Sequence, residues 1–230
     1  MERIANLIQT KLPNYKEFAL CAYSMPYNHQ WKEKKYSNWS NGTSFPNLKD
    51  KYSNLPLNRQ MIMDLFKNGN YYDGFLCAMI WGNIGANLSG QKCFTSIFCE
   101  GNKAEIEQRL TNIIGLLQNK DVAQAYLSLL NGGANKIDGI GESFFTKLLY
   151  FAGGSICDLN PKPLIYDSVM HGVYNEFQNK IGFKLPQGYV NEYMDYCTKM
   201  EELSNLLSLP TAGHVEALLF CPGISSYIFP

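Results

Sequence analysis

The sequence predicts an all-α protein of roughly ten helices. Three observations predict it. Apolar residues recur at helical spacing, as in Ile106, Leu110, Ile113, Ile114 and Leu117. Start and stop signals bracket such runs: Asn102, Asp167 and Thr211 before them, glycine and proline after. Strand signals are few and hairpin signals are absent.

Taken in order, residues 2–12 form a short helix with Ile4, Leu7 and Ile8 on one face, stopped by Pro13. Tyr15 to Tyr23 is a second helix, ended by Pro26. Residues 28–58 lack periodicity and are rich in Asn, Ser, Lys, Gly and Pro, the composition of a long loop. Lys32, Lys34, Lys35, Lys49 and Lys51 are interleaved there with Trp31, Tyr36, Trp39 and Tyr52. That mixture suits a nucleic-acid backbone and its bases. It equally suits a solvated loop pinned to the core by its aromatics, and composition favours the latter. Arg59 to Lys67 is a helix closed near Asn68-Gly69. Tyr71 to Ile84 is strongly apolar and therefore buried, with Trp81-Gly82 near its end. Residues 91–100 fit strand or helix. Lys103 to Gln118 is amphipathic, and Asp121 to Leu130 precedes Asn131-Gly132-Gly133. Further helices run over Glu142 to Ala152, Asp167 to about Gly182 and Gly188 to Leu207; the last follows Thr211 and is stopped by Cys221-Pro222-Gly223.

The 230 residues are 46% hydrophobic, enough for a real core. They predict one all-α domain over 1–230, or two helical subdomains with a cleft between them. Lys+Arg and Asp+Glu are 20 each, so bulk charge argues for neither nucleic acid nor membrane. No 18-residue uncharged apolar run is present and the start has no signal-peptide core, which places the chain in the cytoplasm. The 7 cysteines are scattered without a CxxC and read as buried thiols; no metal site is signalled.

Chemistry concentrates in residues 136–172. Gly139-Ile140-Gly141 is a tight turn before a helix. Amides at such a start bind anions, and glycine lets a phosphate approach closely. On the helical wheel Phe144, Phe145, Leu148, Phe151 and Ala152 share one face. Ser143, Thr146, Lys147 and Tyr150 share the other, so Lys147 need not be buried. Residues three and four away from Lys147 carry no carboxylate. Desolvation of such an amine would favour its neutral, nucleophilic form. An ordinary surface lysine has the same pattern. Asp167 follows a Gly/Pro-rich connection and precedes a helix, which makes it an N-cap. A rigidly held cap can also serve chemistry.

Glycine turn, lysine-bearing helix, Gly/Pro loop and capping aspartate, in that order, resemble the helix-hairpin-helix DNA glycosylases. GIGESFFTKLLYFAG followed by PLIYD is most similar to the 8-oxoguanine DNA glycosylase branch, and to a bacterial group associated with antiviral defence loci. The motif covers about a sixth of the chain. One departure stands out. The family's lysine falls two residues after the second glycine, where this chain has Ser143. Lys147 lies one turn later, about 6 Å along the axis, and a helical side chain leans back toward the N-terminus. The branch's lack of a [4Fe–4S] cysteine cluster is shared.

The resemblance implies a bifunctional glycosylase and AP lyase acting on an oxidised or otherwise modified base in DNA, in repair or in defence. It implies Lys147 as nucleophile, Asp167 as its assistant, and Gly139, Ile140, Gly141 and Ser143 at the DNA backbone. A monovalent cation at the hairpin is the one cofactor it admits. Trp81 and His171 are base-pocket candidates whose default role is packing. His214 and Glu216 diverge on their helix and are given no role. A monomer associated with the nucleoid is expected. Two other readings stay open: a DNA- or nucleotide-binding helix-hairpin-helix protein without catalysis, and an all-α interaction protein.

Overall fold

A computed structural model describes residues 1–25, 51–52, 54–82, 97–182, 187–221 and 223–229. Within them the α-helices are α1 (Glu2–Lys11), α2 (Tyr15–Ser24), α3 (Arg59–Lys67), α4 (Tyr71–Trp81), α5 (Lys103–Gln118) and α6 (Val122–Leu129). There follow α7 (Glu142–Gly154), α8 (Ser168–Ile181), α9 (Tyr189–Leu207), α10 (Ala212–Phe220) and α11 (Ile224–Ile228). The described residues form no extended strand, so the all-α expectation holds. They divide into two compact units, Met1–Met25 with Asn160–Pro230, and Pro26–Leu159.

The first unit is built around α10. Its sequence AGHVEALLF is apolar nearly all round, and residues Ala212 to Leu219 are buried. Helices α2, α8, α9 and α11 pack on it. Helix α9 turns Tyr193, Tyr196, Cys197, Met200, Leu203 and Leu207 inward, the spacing of an amphipathic stripe. The predicted last helix is not the last. Gly223, at φ 84°, is the N-cap of α11, a short helix that buries Ile228.

In the second unit α4 is buried from Tyr72 to Trp81 apart from Asp73, as its composition predicts. Helix α5 buries the five residues its periodicity marks. Helix α7 departs from the wheel. Thr146 is 0% exposed, Lys147 5% and Tyr150 3%, while Phe144 is only half-buried. The expectation of a solvated polar face is therefore corrected. Helices α3, α4, α5 and α6 all pack on α7, so little of it faces water. Two of its buried polar side chains bond back one turn: Thr146 Oγ1 donates to Glu142 O at 2.8 Å and Lys147 Nζ to Ser143 O at 2.7 Å. Such back-bonding is how a helix buries polar groups without leaving them unsatisfied.

Most of the predicted 28–58 loop, including Trp31, Tyr36, Trp39 and its first four lysines, lies outside the described residues, as does Cys93. Lys51 and Tyr52 are helical, not loop, and both donate to Asp73 Oδ2, at 2.9 and 2.8 Å. The thiols are mixed. Cys77 and Cys197 are buried, whereas Cys21 and Cys157 are exposed, against the expectation of buried thiols.

Candidate active site

The hairpin begins where α6 ends. Asn135, buried, donates its N–H to Ser128 O at 2.9 Å and accepts from Asn112 Nδ2 at 3.1 Å, tying the stretch after α6 back to α6 and α5. A turn then closes through Ile140 N–H to Ile137 O at 3.1 Å. Gly139 takes φ 82°, a conformation glycine adopts without strain. Ile140 is buried and anchors the turn, while Gly139 and Gly141 are exposed. Gly141 is the N-cap of α7 and, having no side chain, does not itself cap an amide of that helix. A Cβ on Gly141 would meet nothing within 4 Å. The turn thus presents a helix start on which a phosphate could be received. Glu142, at the first position of α7, is turned away to accept from Tyr126 OH of α6. Of the hairpin carbonyls, Ile137 O accepts from Ile140, and Gly141 O from Phe144 and Phe145.

Lys147 stands on the second turn of α7. Its Nζ donates to Ser143 O and lies 5.3 Å from the centre of the Phe144 ring. The lysine therefore does reach back to the position where the sequence pattern places Ser143. Its stem runs over Gly82, the C-cap of α4. Trp81 is buried edge-on to Phe151, with the Arg59 guanidinium 4.8 Å from its ring centre. Arg59 is itself 3% exposed and also lies over Tyr150 at 5.9 Å. Its buried position against two aromatics was not read from the sequence.

In the first unit Asp167 caps α8, its Oδ1 accepting from Val169 N–H at 3.1 Å and Met170 N–H at 3.2 Å. The approach to it is held by side chains. Tyr193 OH accepts from Leu164 N–H at 3.2 Å and donates to Leu164 O at 2.9 Å. Ile165 N–H donates to Glu216 Oε2 at 2.8 Å, and Tyr196 OH donates to Ile165 O at 2.9 Å. Four backbone groups that would otherwise be buried unsatisfied are thereby paired. Glu216, 1% exposed, was given no role in the sequence. The signal was present: it is the one acid in an apolar helix. His214 stacks on Tyr23 at 3.9 Å and meets Thr211 Oγ1 through Nδ1 at 2.9 Å. His171 is exposed, with Nε2 3.5 Å from Glu192 Oε1, which also accepts from Tyr166 OH at 2.6 Å. Lys147 and the hairpin belong to one unit, Asp167 and His171 to the other.

The family described as "Putative 8-oxoguanine DNA glycosylase OGG-like protein" matches residues 22–220. The chain belongs to this family. No curated protein and no solved structure matches it. Membership of the OGG-like family supports a DNA glycosylase kind of function, and it spans residues of both units. Among the described residues no helix is long and apolar enough to cross a membrane, and no group of three His, Cys, Asp or Glu could hold a metal ion.

Proposed function

We propose that the chain is a bifunctional DNA glycosylase and AP lyase, with Lys147 as nucleophile and Asp167 assisting. The observation that carries it is the 2.7 Å bond from Lys147 Nζ to the backbone oxygen of Ser143, the sequence position at which the resembled glycosylases carry their lysine. The substrate is an oxidised or otherwise modified base, 8-oxoguanine-like, flipped out of duplex DNA. The Lys147 amine, in its neutral form, forms a bond to the sugar C1′ as the glycosidic bond breaks. The bonding pair leaves with the base, which takes up a proton. The alkylated nitrogen loses one of its protons, the C1′–O4′ bond breaks as O4′ takes one up, and a Schiff base results; removal of a C2′ proton then drives β-elimination, which breaks the 3′ C–O bond with the pair leaving on the phosphate. The Asp167 carboxylate offsets the positive charge developing on the sugar and passes protons. Exposed Gly139 and Gly141 let a DNA phosphate meet the amides that open α7. A monovalent cation at the hairpin would add positive charge beside that phosphate; no step depends on it. The role is repair of oxidised DNA or defence against modified phage DNA.

The test is chromatography of bases released from a panel of modified duplexes. Wild type should release one of them, Lys147→Ala none, and Asp167→Asn, which keeps an N-cap oxygen, far less than wild type. DNA binding without release of any base would instead support a non-catalytic helix-hairpin-helix protein.

A further inference from the structure

We propose that Gly82 is a positioning residue for Lys147: its bare Cα supplies the groove in which the lysine stem lies. A Cβ built on Gly82 would stand 2.6 Å from Lys147 Cδ and 3.1 Å from Cε. Packed carbons approach to about 3.5–4.0 Å. The backbone itself does not call for glycine. Gly82 has φ −71° and ψ 1°, a region open to every residue. At Gly115 in α5 and Gly141 in the hairpin an added methyl would meet no atom within 4 Å, so tight space is not general to the unit's glycines. At Gly82 glycine is present for room, and Lys147 occupies the room.

The stem is thus fixed at two points. Its Cδ and Cε cross the end of α4 at Gly82, and its Nζ bonds Ser143 O. With the residue 5% exposed, a displaced stem has few other paths. A methyl group at 82 shifts the stem and moves the amine from the start of α7. An error of about 1 Å at a reacting atom can slow a step about 100-fold. The catalytic consequence rests on the nucleophile reading above; the packing relation does not.

Gly82→Ala, Lys147→Ala and the double variant test both. In thermal unfolding Gly82→Ala should lower Tm by about 2–4 °C in wild type and leave it unchanged or raised in the Lys147→Ala background. An equal loss in both backgrounds overturns the inference. With base-modified duplex and borohydride, Gly82→Ala should slow adduct formation at saturating DNA by about tenfold or more, with half-saturation unchanged. An unaltered rate overturns the positioning role. An adduct that survives Lys147→Ala removes the nucleophile reading instead, and the thermal cycle still decides whether Gly82 holds the stem.

Discussion

Single side chains carry most of the account. Glu216 shows how a residue without obvious chemistry can govern one that has it. Its carboxylate accepts the N–H of Ile165, two residues before Asp167. Glu216→Leu leaves that buried N–H without its acceptor and should destabilise the chain by about 1–3 kcal/mol. Glu216→Gln keeps an acceptor and should lose clearly less; urea denaturation of the two variants checks the order. Sequence reading reached Asp167 because a cap is a local event, written in the residues beside it. It passed over Glu216 because the partner is 51 positions away, and no local pattern encodes that meeting. Lys147 lies between these cases. The backward lean of helical side chains made its reach to Ser143 foreseeable. Its burial was not, because a wheel sorts residues by polarity and says nothing of how many helices pack around them.

At the scale of elements, amphipathic helices were the most legible. Helix α5 begins and ends where its periodicity and flanking Asn102 indicate, since one face alone meets the core. Helix α7 starts at the predicted Glu142 but runs two residues past the predicted Ala152, and its packing differs from the wheel. Four helices enclose it, and back-bonded hydroxyl and amine groups let a polar face go inside. Helix α11 escaped notice because Cys221-Pro222-Gly223 is a stop signal, and a short helix can still form beyond one. Glycines within and between elements separate by what a methyl group would meet. Gly115 lies inside α5 facing open space, so Gly115→Ala should stabilise by up to about 1 kcal/mol. At Gly133, after α6, a Cβ would overlap the carbonyl of Ser128, which already accepts from Asn135. Gly133→Ala should therefore destabilise by about 1–3 kcal/mol and loosen the lead into the hairpin. Opposite signs in thermal unfolding are the expected result.

Across the whole molecule, buried acids of weak acidity predict how stability depends on pH. Burial pushes the Cys77 and Tyr196 groups well above their ordinary values and Cys197 up to about 12. Tyr174 is also raised, by burial first and by its bond to Asp195. From the ordinary values of 9.0 for cysteine and 10.0 for tyrosine upward, the unfolded chain loses these protons while the folded chain keeps them. The unfolded state then binds fewer protons, so stability must fall as pH rises. Urea midpoints should not respond to these groups at pH 7 and should drop steadily from about pH 9 upward. The same scale frames the function. The family match crosses from one unit into the other, and the proposed lysine and aspartate come from different units. The chemistry assigned to them is tested most directly by trapping the intermediate. Reacted with base-modified duplex DNA and borohydride, then digested and mapped by mass spectrometry, the chain should carry the sugar remnant on Lys147. A remnant on another residue, or none from a duplex whose base is released, would contradict the account.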